Sequence, residues 1–242
     1  MQHIFFVFLL SLSAICHADA RFTVIMVDPA SEKLSLHWRD SFGQPYQSFD
    51  KLLAALPAQS VQFAMNAGMY HADYSPVGLL IIDGVEYAPL NLADGAGNFF
   101  LKPNGVFFLS STGAHVVAAT EYPSVAKEVR LASQSGPLLL LRGQIHPAFQ
   151  PQSRSRLIRN GVGVAGNKIF FVISEVPVNF YEFASFFRDQ LHCSDALYLD
   201  GSISSLYSSY LQRHDRKSKL GPMFAVTRTN ANAATLQAEK PQ

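Results

Sequence analysis

The chain has 242 residues, 48% of them hydrophobic and 15% charged, and a formal net charge of +1. This is enough apolar material for one globular domain with a substantial core. It is not the strongly basic balance that a nucleic-acid partner demands, and the one basic concentration, RHDRKSK at 213–219, reads as a solvated loop.

The first twenty residues read as a secretory signal. Ile4 to Ile15 form an apolar stretch, and Ala18-Asp19-Ala20 fits a small-x-small cleavage site. The stretch is short for a bilayer span, so the expectation is a secreted or periplasmic protein with no stable membrane span after cleavage. A buried first strand or helix is the alternative. A lipoprotein anchored through Cys16 ranks lower, because bulky Ile15 precedes it. Cleavage leaves Cys193 as the one cysteine, so the mature chain has no internal disulfide. Cys193 reads as a small buried hydrophobe rather than a nucleophile.

Along the mature chain, RFTVIMVD is β-branched and apolar, and KLSLHWRD alternates; together they predict a hairpin. SFDKLLAALP switches to helical spacing, with Ser48 as N-cap and Pro57 as stop. SVQFAMNAGMY is a strand running into Asn66-Ala67-Gly68. The middle of the chain reads as an antiparallel meander, with turns at Asp83-Gly84, Asn104-Gly105 and Thr112-Gly113. SGPLLLLRGQI adds another strand and turn. In the C-terminal third, GNKIFFVIS is an apolar strand and NFYEFASFFRDQL an amphipathic helix, opened by Asn179 and Glu182 spaced as a capping box. ALYL is the next strand, which makes a βαβ crossover with parallel strands. GPMFAVTRT is a last strand, and 231–242 reads as a flexible tail. The expected class is α+β: a mixed, largely antiparallel twisted sheet, a C-terminal βαβ unit and few helices, in a single domain over 21–230.

Ligands collect at the carboxyl ends of strands in a βαβ unit. Those ends carry Ser174 and Glu175 on one strand and Asp200-Gly201 on the next, followed by Ser202, Ser204 and Ser205. Asp200 either serves chemistry there or caps a short helix. The stretch is not a nucleophile elbow, because residue 205 is Ser where G-x-S-x-G needs Gly. The histidines are scattered without zinc spacing. No cofactor is implied, and calcium or magnesium held by Asp and backbone oxygens stays open. Two further segments carry chemistry. In NAGMYHADYSP, Asn66 suits a sugar hydroxyl and Tyr70 or Tyr74 a sugar face; an Asx-turn with packing tyrosines is the plain reading. In RSRLIRNGVGV, Arg154, Arg156 and Arg159 offer guanidinium forks to a phosphate, or else form a solvated loop or structural ion pairs.

These segments, in this order, resemble the phosphodiester glycosidase family, and the likeness spans about Phe63 to Tyr207. The family's Asn-Gly-Gly-Tyr-type loop stands here as Asn66-Ala67-Gly68-Met69-Tyr70, and its Ser-Gly-Pro as Ser135-Gly136-Pro137. Its Arg-x-x-x-Gly stands as Arg159 to Gly163, and its Leu-Asp-Gly-Gly-Gly-Ser-Ser as Leu199-Asp200-Gly201-Ser202-Ile203-Ser204-Ser205. Ser202, Ile203 and Ala67 replace glycines of the pattern, so the pocket differs in shape.

The resemblance implies a hydrolase that cleaves a sugar 1-phosphodiester of N-acetylglucosamine type at its glycosidic bond. The implied partner is a small-molecule or glycan substrate carrying phosphate. The implied site has Asp200 for the acid/base or nucleophilic step, with Glu175 and, less directly, Asp83 as further carboxylates. Asn66 and Tyr70 would position the sugar, and Gly68 belongs to the substrate-binding set. Ser135, Gly136, Arg159, Gly201, Ser204 and Ser205 complete the substrate-binding set, with Arg159 and the two serines on phosphate. No metal site is implied. The competing classes are an envelope module that binds a phosphorylated or cell-wall glycan without turnover, and a structural envelope protein.

Overall fold

The computed structural model describes residues 19–57 and 61–227. The expected signal segment up to residue 18, with Cys16, and the expected tail lie outside them. In chain order the elements are β1 (Phe22–Val27), β2 (Lys33–His37), α1 (Phe49–Ala55), β3 (Val61–Asn66), β4 (Leu80–Ile82) and β5 (Val85–Ala88). There follow β6 (Gly105–Ser110), β7 (Gly113–Ala118), α2 (Tyr122–Val125), β8 (Val129–Ser135), β9 (Leu138–Leu141) and β10 (Gln144–Ile145). The chain continues with β11 (Asn160–Ala165), β12 (Lys168–Ser174), α3 (Phe180–Asp189), β13 (Asp195–Tyr198), β14 (Leu206–Ser208), β15 (Arg213–His214) and β16 (Met223–Thr227). Single 3-10 turns sit at Asn98–Phe100 and Gly201–Ile203. Among the described residues no helix is long and apolar enough to cross a membrane.

The strands form three sheets in the orders β1-β12-β11-β13-β9-β10, β15-β14-β3-β16-β2 and β5-β4-β8-β6-β7. Every strand pair between them is antiparallel. One apolar core draws on all three sheets: Ile173 and Leu197 from the first, Phe63 and Phe224 from the second, Phe107 and Leu131 from the third. Its centre is aromatic. Phe171 lies 5.1 Å from Phe63 and 5.2 Å from Phe224, and Phe107 meets Phe224 edge-on at 5.5 Å. Such pairs add to the burial of large apolar surface.

The outer face of the first sheet is covered by α3. The capping box forms as the sequence predicts: the Asn179 side chain accepts from the Glu182 amide at 2.9 Å, and Glu182 accepts from the Asn179 amide at 3.0 Å. Phe183 and Phe187 of α3 pack with Val172, Leu140, Ala196 and Tyr198. This second cover explains why β12 is apolar at nearly every position: both of its faces are buried. Gly163 on β11 makes the close approach of α3 feasible. A Cβ there would stand 2.6 Å from Phe187 Cδ1 and 2.9 Å from Cys193 Sγ. Gly163→Val is therefore expected to cost about 1–3 kcal/mol through overpacking, read as a lower urea midpoint at unchanged m-value. Cys193 is buried and free, and burial pushes its thiol up to about 12, as a small hydrophobe rather than a nucleophile requires.

The antiparallel character and the scarcity of helices match the expected α+β class, and three connections differ from it. β1 and β2 do not form a hairpin: β1 pairs with β12 in the first sheet and β2 with β16 in the second. Alternation shows that a strand has a buried face but not which strand lies beside it. β12 and β13 do run the same way on either side of α3, yet β11 is inserted between them and pairs antiparallel with both. The expected crossover is thus split, without direct parallel pairing. Asn104-Gly105 is not a hairpin turn. Asn104 is buried and donates to the Phe99 carbonyl at 3.0 Å, while Gly105 already pairs within β6. The turns at Asp83-Gly84 and Arg142-Gly143 have both residues at positive φ, as two-residue hairpin turns require. The basic stretch at 213–219 is partly structural, because Arg213 and His214 form β15.

Candidate active site

The site lies where the first and second sheets meet. β3 of the second sheet ends at Asn66, β11 of the first begins at Asn160, and the segment 199–205 passes between them from β13 to β14. Asn66 is buried and fully engaged. Its Nδ2 donates to the Asp200 carbonyl at 2.9 Å, and its Oδ1 accepts from the Ser205 amide and from Asn160 Nδ2, both at 2.9 Å. Asn160 accepts in turn from the Ser204 hydroxyl at 3.2 Å. The Leu199 amide donates to the Asn160 carbonyl at 3.0 Å, which extends the β11–β13 ladder by one step. Two buried amides thus clamp the loop that carries Asp200.

Asp200 does cap the 3-10 turn, as the plainer reading of the sequence holds. Its Oδ1 accepts from the Ser202 hydroxyl at 2.7 Å and from the Ser202 amide at 3.3 Å. Burial nevertheless pushes its carboxyl above the usual range, and the two Ser202 donors oppose that push only in part. A carboxyl raised by desolvation at a strand end marks a candidate functional position. Tyr70 stands beside it, with its pKa driven to about 12, first by burial and then by the charge of Asp200. The Tyr70 hydroxyl donates to the Lys219 carbonyl at 2.7 Å, and its ring stacks on Tyr74 at 5.6 Å.

Arg159 is 1% exposed. Its Nε donates to the Val178 carbonyl at 2.9 Å and its Nη2 to the Ser155 carbonyl at 3.0 Å. The guanidinium carbon stands over Phe180, 3.7 Å from the ring centre, and 5.5 Å from that of Tyr198. Its Nη1 is buried without a hydrogen-bond partner. Among the described residues no carboxylate pairs with it, so the site holds a desolvated cation whose polar side-chain neighbour is Tyr198. Burial lowers its pKa, and Tyr198 counters that effect. Tyr198 is the link to Asp200: burial pushes its phenol up, Arg159 pulls it back, and Asp200 raises it again. Its hydroxyl occupies the space where a Cβ on residue 201 would sit, so Gly201 admits Tyr198 into the site.

The structure therefore brings Asn66, Tyr70, Arg159, Asp200, Gly201, Ser204 and Ser205 into one neighbourhood. The serine hydroxyls are spent within the loop: Ser204 shares its one hydrogen between Asn160 Oδ1 and the Gly201 carbonyl, 3.0 Å away, and Ser205 donates to the Ile203 carbonyl at 2.7 Å. Ser135 and Gly136 are buried behind Tyr198, whose amide donates to the Pro137 carbonyl at 3.1 Å. The Gly68 amide donates to Ser133 Oγ at 3.1 Å. Glu175 is engaged elsewhere, accepting from Arg213 and from the Thr23 hydroxyl, each at 2.5 Å. Asp83 lies in the β4–β5 turn, 4.0 Å from Arg130. Sequence reasoning missed Tyr198 and Asn160. Tyr198 is the last residue of β13, two before Asp200, and Asn160 follows the arginine already singled out. Among the described residues no group of three or more His, Cys, Asp or Glu side chains is placed to hold a metal. A cavity of about 860 Å³ opens by Asp195, at the start of β13 and away from Asp200, and none of the expected site residues lines it.

Residues 59–233 match the model of the phosphodiester glycosidase family. The chain belongs to that family. Over 184 residues, 75% of this chain and 72% of the relative, it is 40% identical to the uncharacterized protein YigE of Escherichia coli (strain K12). Among solved structures it is similar to the catalytic domain of zebrafish N-acetylglucosamine-1-phosphodiester alpha-N-acetylglucosaminidase, auto-inhibited by its pro-peptide. The TM-score is 0.58 at 14% identity, covering 88% of this chain and 86% of that one. A hypothetical protein from Synechocystis gives a TM-score of 0.55 at 16% identity, covering 86% of this chain and 59% of that one. At such identities the two structures support the fold. The family match supports the chemistry at the level of a glycosidase acting on phosphodiesters.

Proposed function

We propose that the protein is a secreted or periplasmic hydrolase that cleaves a sugar 1-phosphodiester, of N-acetylglucosamine-1-phosphodiester type, at the glycosidic bond. The observation that carries this reading is the buried Arg159 guanidinium, with no carboxylate partner among the described residues and set against Tyr198, whose hydroxyl packs onto Gly201 next to Asp200. A lone buried cation is costly, and an anionic group of the ligand relieves that cost. The placement outside the cytoplasm rests on the N-terminal sequence pattern alone.

The chemistry follows from the leaving group. When the bond between the anomeric carbon and oxygen breaks, the phosphate monoester departs with the electron pair. Its second pKa is about 6, so it needs neutralisation more than a strong acid. Arg159 would supply that charge where it develops. Asp200, ionised, serves the anomeric carbon as base toward water or as nucleophile. Tyr70 borders the same carboxylate and suits contact with the sugar. Asn66, Asn160, Ser204 and Ser205 hold the loop.

The test is incubation of the purified protein with an N-acetylglucosamine 1-phosphodiester, reading free sugar against time. Release of N-acetylglucosamine and phosphomonoester in equal amounts is the expected result. Tight binding without release, with calcium or magnesium added, would replace the hydrolase by a glycan-binding module.

A further inference from the structure

Asp200 is held asymmetrically. Both Ser202 donors converge on Oδ1, the hydroxyl at 2.7 Å and the amide at 3.3 Å, while Oδ2 accepts no hydrogen bond from the described residues. The amide is fixed by the 3-10 turn, which the bond from the Ser204 amide to the Gly201 carbonyl closes at 3.3 Å. The hydroxyl is an added side-chain donor on an exposed residue. A hydroxyl bonded to a carboxylate is a charge-assisted donor, roughly twice as strong as a neutral one. It stabilises the charged form and pins one oxygen, which leaves the other to face a reactant.

We propose that Ser202 is a positioning residue: its hydroxyl keeps Asp200 ionised and aimed, with Oδ1 tethered and Oδ2 presented to the substrate. This rests on the reading of Asp200 as the ionised group at the anomeric carbon. Burial works against ionisation at this site, so the hydroxyl acts against a real opposing force. The other groups facing Asp200 are Tyr70 from the loop after β3 and Tyr198 from β13, with the Arg159 cation beyond Tyr198. Both phenols have raised pKa values and stay neutral in acid, and an arginine stays charged. Glu175, tied to Arg213, contributes nothing to the shift of Asp200. An acid-side titration at this site therefore belongs to Asp200.

Two readouts test the proposal. The first needs no substrate: carboxyl carbon NMR titration of the wild type, Ser202→Ala, Ser202→Gly and Ser202→Thr, with Asp200→Asn assigning the resonance. The Asp200 midpoint should move up in the Ala and Gly variants and return toward wild type in the Thr variant, which keeps the hydroxyl. The second is kcat/KM for the phosphodiester against pH. Loss of one charge-assisted bond to an exposed donor should lower the acid-limb value by about 3- to 10-fold, with the plateau at higher pH within about twofold. An unchanged midpoint in Ser202→Ala, or an equal drop at all pH values, would overturn the proposal. If the wild type releases no sugar, the proposed hydrolysis fails, while the NMR titration still decides the role of Ser202.

Discussion

Asp200→Asn is expected to lose hydrolysis of the phosphodiester, with kcat down by about 10²- to 10⁴-fold, and to become more stable at neutral pH. The two effects share one cause. Burial raises the folded-state pKa of Asp200 above the ordinary 3.8. Between those values the native state binds more protons than the unfolded chain, so stability falls as pH rises through that window. Above the window the ionised carboxylate is a standing cost to the fold. Asparagine removes the charge, keeps an oxygen for Ser202, and leaves the backbone carbonyl to Asn66. The stability gain should shrink as pH drops through the ordinary aspartate range, where the wild-type carboxyl is protonated in both states. Urea denaturation of both proteins at neutral pH and in acid checks the sign, and sugar release checks the chemistry. A fully active variant would remove Asp200 from the reaction. A variant less stable at neutral pH would mean that its charge is compensated in the fold.

Arg159→Met separates charge from packing. Methionine fills the space against Phe180 and makes favourable sulfur–aromatic contact, while it deletes the guanidinium. The Ser155 carbonyl loses its Arg159 donor, while the Val178 carbonyl keeps the Leu157 amide at 3.2 Å. That costs about 1–3 kcal/mol, offset in part by removal of a buried unpaired charge. The functional loss should depend on the leaving group. For the phosphodiester, kcat/KM should fall by about 10²- to 10³-fold, the scale for removal of one preorganised donor. For an uncharged aryl glycoside of the same sugar it should change by less than about tenfold. Inorganic phosphate, if it fills the site, should raise the melting temperature of the wild type and not that of the variant. Equal losses on both substrates would make Arg159 a structural residue.

Much of the local structure is legible in the sequence, because local rules govern it. The Asn179–Glu182 capping box, the Ser48 cap of α1 and the Asp83-Gly84 turn all depend on residues within a few positions of one another. What the sequence leaves open is long-range. Nothing in KLSLHWRD says that its partner is β16, nearly two hundred residues away. The split crossover is hidden likewise, because period and helix length are the same whether or not a strand is inserted between the two ends. At the site, the ordered motifs single out Asp200, Arg159 and Asn66 as candidates, but an amide reads the same whether it binds a sugar or a backbone. Only the fold shows Asn66 spent on Asp200, Ser205 and Asn160. Tyr198 sits within an apolar run, where a tyrosine reads as core. Its role arises from the absence of a side chain at Gly201, which only three dimensions show.

The Asn66–Asn160 contact joins side chains from two different sheets, and the same two side chains hold the Asp200 carbonyl, the Ser205 amide and the Ser204 hydroxyl. Neither half of the molecule can preassemble this geometry. It exists only once the two sheets have seated against each other, so on the proposed reading activity depends on their docking rather than on any one segment. Partial openings that leave each sheet intact would silence the protein well before global unfolding. Turnover would thus be a finer gauge of inter-sheet register than circular dichroism, which sees strands whether or not they are docked.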